Sequence, residues 1–179
     1  MLALVLLMVF VSGSVVSVLA GAYAAWWNLP VTAAAAVHAR NGSGPWKCAS
    51  LSVFESYPST AKEGKEYNGF KWAGLFAGLS GKKSQAWVAS NNIAAVHSRD
   101  FDGLKGKVIQ VMDPDTKKTV EATVVDKCAD SDCGGCCTRN ADKLGCGFLI
   151  DLEYHTAKRL LGAGSDPRNT FKKVQWRQV

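Results

Sequence analysis

Five of the six cysteines fall in one stretch, between Cys128 and Cys146, and the sixth, Cys48, stands far upstream. This arrangement limits the fold more than any other feature. An even cysteine count beyond a hydrophobic leader predicts a disulfide framework of three bridges. Cys136 and Cys137 are adjacent, so each is expected to pair elsewhere, and Cys48 would tie the entry of the domain to the cysteine-rich loop. Zinc is the alternative, since Cys133-x-x-Cys136 with Cys128 and Cys146 nearby offers four thiolates. A zinc site suits a reducing compartment, and the leader argues against that address. No metal or cofactor is expected.

That leader runs from Met1 to Trp27 without a charged side chain. Its apolar runs, Leu2 to Val11 and Val15 to Trp27, are broken only by Ser12-Gly13-Ser14. Together they exceed the roughly 20 residues that a bilayer-crossing helix needs. The same stretch reads as a secretory signal, with small residues for cleavage at Val18-Leu19-Ala20 and Ala22-Tyr23-Ala24, although the usual basic start is missing. Trp26-Trp27 would suit an interfacial belt if the helix is retained. Both readings imply export. Residues 28–47 then read as a linker, and Asn41-Gly42-Ser43 is a glycosylation sequon, usable in a eukaryotic secretory route. The remaining 48–179 is the length of one domain with a single core. Lys and Arg number 21 against 15 Asp and Glu, a net charge of +6. That charge suits an acidic surface, but the basic residues are spread out, so nucleic acid is not expected as a partner.

Within the domain, Leu51 to Tyr57 alternates as a first strand ended by Pro58. Phe70 to Leu79 is apolar but carries Gly74 and Gly78, which leaves it open between strands and a short helix. Ser84 caps a short helix ending at Asn91-Asn92, and Ile93 to His97 is a buried strand. Asp100 to Gly106 reads as a turn. Lys107 to Met112 and Thr119 to Val125 form the clearest hairpin, with Asp113-Pro114-Asp115 between them and Val120, Ala122 and Val124 on one face. Leu152, Thr156, Leu160 and Leu161 give a helical face closed by Gly162, and Phe171 to Gln178 alternates as a last strand.

Two aspartates end apolar runs: Asp126 after Thr123-Val124-Val125, and Asp151 after Phe148-Leu149-Ile150. A carboxylate where a strand leaves the core is desolvated yet reachable, which raises its pKa and suits acid or base work. The structural alternative is that each caps a following turn or helix, with Asp151 as the N-cap of the last helix. Trp72, Trp87 and Tyr57 are candidate stacking faces for sugar rings, or ordinary core aromatics. His97 and Glu55 are further candidates for the same cleft.

A hairpin ending in Val-Val-Asp-x-Cys, a cysteine loop, a hydrophobic-Asp-Leu segment before a short helix closing on Leu-Gly, and a last strand resemble the double-psi β-barrel. Expansin first domains, barwin-type proteins, rare-lipoprotein-A-type transglycosylases and a family of small endoglucanases share it. The loop DKCADSDCGGCC resembles that of single-domain expansin-like proteins most. The resemblance implies an all-β fold with short helices: a six-stranded, disulfide-stapled double-psi barrel after an N-terminal hydrophobic helix. It places Asp126 at the aspartate of the transglycosylases' Asp-Arg-Gly-Pro, although Lys127-Cys128 follows here. It places Asp151 at the aspartate of the expansins' and endoglucanases' His-Phe-Asp, the general acid of the hydrolases, although Leu149-Ile150 precedes it here. Hydrolysis with inversion needs a second carboxylate, for which Asp126 or Glu55 stands.

Three functions follow. The first is an exported, monomeric expansin-like module that binds and loosens wall polysaccharide without net hydrolysis, outside the cell or anchored facing outward. The second is a glycan-cleaving enzyme, endoglucanase-like or transglycosylase-like, with Asp151 as the acid. The third is a barwin-like secreted interaction or defence protein whose aspartates are structural.

Overall fold

The computed structural model describes residues 44–58, 72–162 and 164–179, all within a unit spanning Arg40–Val179. The leader, most of the linker and the Asn41 sequon lie outside the described residues. Among the described residues no helix is long and apolar enough to cross a membrane.

Six strands close into a barrel: β1 (Lys47–Phe54), β2 (Ile93–His97), β3 (Val108–Met112), β4 (Thr119–Cys128), β5 (Leu149–Glu153) and β6 (Lys172–Gln178). Their order around the wall is β1-β5-β2-β4-β3-β6. The pairs β1·β5 and β2·β4 are parallel and the remaining four are antiparallel. A parallel neighbour cannot be reached by a tight hairpin. The chain must therefore cross the barrel twice, once between β2 and β4 and once between β1 and β5. Closure leaves no unpaired sheet edge. This closed six-strand barrel fits the double-psi type.

Strand alternation sends one set of side chains inward. Leu51 of β1, Ala94 and Val96 of β2, Ile109 and Val111 of β3, Val120, Ala122 and Val124 of β4, Ile150 and Leu152 of β5, and Val174 and Trp176 of β6 form the core. The Val120, Ala122 and Val124 face is the one that the hairpin pattern predicts.

Short helices decorate the wall: α1 (Gln85–Ser90), α2 (Ser98–Leu104), α3 (Asp130–Cys133), α4 (Cys136–Asp142), α5 (Tyr154–Leu161) and a 3-10 turn at Pro167–Asn169. Ser84 caps α1 as expected, its hydroxyl accepting from the Trp87 N–H at 3.1 Å. The stretch read as a turn around Asp100 is instead helix α2, capped by His97, whose Nδ1 accepts from the Arg99 N–H at 3.0 Å. Asp151 is not a helix cap. It lies in the middle of β5, and Glu153 caps α5 by accepting the His155 N–H at 2.7 Å. The final strands also differ at their ends: β1 starts at Lys47, inside the expected linker, and β4 continues through Asp126 to Cys128.

Three bridges staple the barrel: Cys48–Cys146, Cys128–Cys137 and Cys133–Cys136. The first ties β1 to the segment leading into β5, as the position of Cys48 predicts. Adjacent Cys136 and Cys137 indeed pair with different partners. Among the described residues no cysteine is free, so the thiolates that a resident zinc would need are oxidised.

Candidate functional site

One register row crosses four neighbouring strands. Ser52 of β1 stands opposite Asp151 of β5, Asp151 opposite Ala95 of β2, and Ala95 opposite Asp126 of β4. Directly opposed residues project to the same face of a sheet. The row alternates with the inward residues Leu51, Ala94 and Ile150, so it faces outward. Strands lie about 4.8 Å apart, which sets the two aspartates about 10 Å apart at the backbone. Ala95, between them, is itself buried, at 3% exposure.

Asp126 reaches this face through a β-bulge. The β2·β4 register steps from Ala94↔Val124 to Ala95↔Asp126, which leaves Val125 as the extra residue. Without the bulge, Asp126 would follow Val124 by two positions and point into the apolar core, where a carboxylate is costly. With it, Val125 and Asp126 both turn outward. Val125 joins a satellite cluster with Phe76, Val88 and Ile93.

The segment 72–83 clamps the bulge. The Gly78 N–H donates to the Val125 carbonyl at 2.7 Å, and the Ala77 N–H donates to Asp126 Oδ1 at 2.9 Å. Glycine is required at 78, because a Cβ there would sit 2.7 Å from the Val125 carbonyl oxygen.

Both carboxyls are half-buried. Burial raises the Asp151 pKa to about 7; the Ser52 hydroxyl, donating to Oδ1 at 2.9 Å, opposes the rise, and the negative charge of Asp126 adds to it. Burial likewise raises Asp126. The Ala77 and Lys127 N–H groups and the Lys127 charge pull it back, and Asp132 pushes it further up. Burial thus favours the protonated form of both carboxyls, and near neutral pH Asp151 exchanges a proton readily.

Of the other residues singled out from the sequence, Trp72 lies on the segment that holds Asp126 and the rest make contacts of their own. Glu55 is buried and paired with Arg168 at 3.0 Å. It faces Glu153 across a pocket of about 150 Å³ that is also lined by Tyr57, Tyr154 and His155. Glu153 is 1% exposed, and burial raises its carboxyl to about 7, with the Glu55 charge adding to the rise. His97 is buried and contacts Thr138 Oγ1 at 3.0 Å and Asp130 Oδ2 at 3.3 Å. The Thr138 hydroxyl and N–H also hold the Asp130 carboxyl down at about 2. Trp87 is half-buried against Phe76, 6.1 Å between ring centroids. The Tyr57 hydroxyl donates to the Lys83 carbonyl. Trp72 is 55% exposed, on the segment that clamps Asp126. A larger cavity of about 690 Å³ lies near the Cys48–Cys146 bridge, lined by Lys47, Arg99, Asp100, Phe148 and Trp176 among others. Neither cavity is lined by Asp126 or Asp151.

The sequence reading missed Ser52, the Ala77 N–H and Glu153. Ser52 shares the outward phase of its strand with Phe54. Recognising it requires knowing that β1 runs parallel to β5 in this register, which no local pattern encodes.

No protein-family model matches the chain, and no curated protein matches it. Several solved structures follow a similar path. An expansin from Clavibacter michiganensis is 15% identical with a TM-score of 0.44, covering 75% of this chain and 50% of that one. The Streptomyces papain inhibitor is 12% identical with a TM-score of 0.44, covering 76% and 96%. A GH45 endoglucanase variant solved in complex with cellobiose is 15% identical with a TM-score of 0.44, covering 74% and 80%. The chain thus spans half the length of that expansin. Its barrel is assigned from its own strand order and pairing.

Proposed function

We propose that this chain is an exported glycan-binding barrel that grips wall polysaccharide across the row Ser52–Asp151–Ala95–Asp126 and remodels it without net hydrolysis. The carrying observation is the shared outward face of the two carboxylates on either side of Ala95. Each carboxyl donates a hydrogen bond to a sugar oxygen when protonated and accepts one from a hydroxyl when ionised. A hydroxyl-rich chain offers both kinds of partner at every ring. Exposed Trp72, on the segment that touches Asp126, supplies an aromatic face for the C–H side of a pyranose. Residues 1–27 deliver the domain as a signal or anchor, a linker follows, and the barrel domain runs from β1 at Lys47 onward. The three bridges suit an oxidising exterior.

One observation favours a second reading, glycan cleavage. An acid with a pKa of about 7 keeps its proton until near neutrality, as protonation of a leaving glycosidic oxygen requires. Pull-down on cellulose, xyloglucan and peptidoglycan, together with reducing-end release, separates the two for wild type, Asp151→Asn and Asp126→Asn. The main reading expects binding that weakens in both variants and no release above background. Release by wild type that disappears in Asp151→Asn establishes the enzyme. Absence of binding to every polymer removes both readings.

A further inference from the structure

Four of the six sulfurs meet at one place. Cys133–Cys136 and Cys128–Cys137 are separate bridges, yet Cys137 Sγ lies 3.7 Å from Cys133 Sγ and 3.8 Å from Cys136 Sγ. The sulfurs of Cys128, Cys136 and Cys137 all lie within 4.8 Å of one another. Gly134 and Gly135, with φ of 60° and 87°, form the left-handed turn that folds the Cys-Gly-Gly-Cys bridge onto the other pair. Exposure is graded: Cys133 is exposed, Cys136 and Cys128 are half-buried, and Cys137 is fully buried. We propose that this cluster is a thiol-exchange site, at which a small thiol opens the Cys133–Cys136 bridge and the opening is relayed through Cys137 to Cys128.

The chemistry balances without a net oxidant or reductant. A thiolate attacks Cys136 Sγ; the new sulfur–sulfur bond forms, the Cys133–Cys136 bond breaks, and its electron pair leaves on Cys133. That thiolate is a favourable leaving group because the Cys136 N–H already points at Cys133 Sγ, 3.2 Å away. Cys133 then attacks Cys137 Sγ, already near van der Waals contact. The Cys133–Cys137 bond forms, the Cys137–Cys128 bond breaks, and Cys128 leaves as a thiolate that takes a proton from water. Cys128 can in turn attack the mixed disulfide at Cys136, which expels the original thiol. The sum is an isomerisation from Cys133–Cys136 with Cys128–Cys137 to Cys133–Cys137 with Cys128–Cys136. Attack at Cys133 instead releases Cys136, which could reach Cys137 only by closing a bridge between adjacent residues. Cys48–Cys146 lines a pocket that no cysteine of the cluster lines, and it takes no part.

The site has a structural outlet. Cys128 ends β4 two residues after Asp126, and two residues further on Asp130 holds Thr138 and His97. Repairing Cys128 therefore changes the tether on both.

The test uses the intact chain and 2-mercaptoethanol, a neutral thiol that the nearby Asp130 and Asp132 do not repel. After brief exposure, free thiols are trapped with N-ethylmaleimide, and the tryptic peptide 128–139, bounded by Lys127 and Arg139, is fragmented. The proposal expects mercaptoethanol on Cys136, the maleimide on Cys128, a Cys133–Cys137 bridge, and Cys48–Cys146 untouched. Maleimide on Cys133 with Cys128–Cys137 intact would overturn it. So would mercaptoethanol on Cys128 with maleimide on Cys137, or opening of all three bridges at one rate. A Cys133→Ser/Cys136→Ser variant should lower Cys128 labelling at least about tenfold, and unchanged labelling would refute the relay. The wild-type pattern decides the matter on its own if that variant fails to fold.

Discussion

Replacing Asp151 with asparagine removes an ionisation while keeping the shape and the oxygen that accepts from Ser52. The folded pKa of Asp151, about 7, lies above the ordinary aspartate value of 3.8. Between those two values the folded chain holds a proton that the unfolded chain has released. Stability conferred by that proton is complete below about pH 4, drains away as pH rises, and is gone above about pH 7. The interval spans about three pH steps at about 1.4 kcal/mol each, an upper figure on the order of 4 kcal/mol. Asp151→Asn carries no such dependence. The variant should match wild type near pH 4 and exceed it at pH 8 by up to that amount. Urea unfolding midpoints at pH 4, 6 and 8, with the denaturant slope checked for constancy, measure the gap. Glu153 bends the wild-type curve in the same direction, so the difference between the two proteins isolates Asp151. A gap that stays constant with pH, or a variant less stable than wild type at pH 8, would refute the reasoning.

Ser52→Ala removes the one hydrogen bond that opposes the rise at Asp151, so its titration midpoint should move further up, read by carboxyl-carbon NMR. Gly78→Ala forces a Cβ against the Val125 carbonyl and should lift the clamp from the bulge. Amide exchange at Ala77 should quicken, and the Asp126 midpoint should rise as its N–H donor is lost. Removing Cys48–Cys146, which closes a separation of 98 residues, should cost about 4–5 kcal/mol by loop-closure entropy, measured by denaturant unfolding of the double alanine variant. At pH 4, where Glu153 keeps its proton in the folded chain, Glu153→Ala should cost about 1–2 kcal/mol through the lost cap on α5, visible in the same assay.

The barrel was legible where the chain repeats a simple period. The hairpin β3–β4 and the strand Ile93 to His97 follow from alternation and turn residues; cysteine placement gave the number of bridges and the tie from Cys48 to the cysteine-rich loop, but not the full pairing. The aspartates were legible as charges at the ends of apolar runs. Their meeting across Ala95 was not, because parallel pairings between strands distant in sequence leave no local trace. The bulge at Val125 was hidden for a related reason: Thr123-Val124-Val125 reads as plain strand, and only the partner β2 shows the extra residue. Asp151 looked like a helix cap because Asp often is one, but the helix starts later, where buried Glu153 takes that place. Asp100 to Gly106 looked like a turn because of Asp102-Gly103. Capping by His97 and burial of Phe101 outweigh those propensities. Glu55 was grouped with the aspartates on residue type alone, and its strand phase carries it to Glu153 and Arg168 instead.

The account rests on Asp126 and Asp151 sharing one face closely enough to feel each other. A carboxyl-carbon NMR titration of Asp151 in wild type and in Asp126→Asn measures this most directly. The account predicts a midpoint near 7 that falls when the neighbouring charge is removed. A midpoint in the ordinary aspartate range, or one that the Asp126 substitution leaves in place, would contradict it.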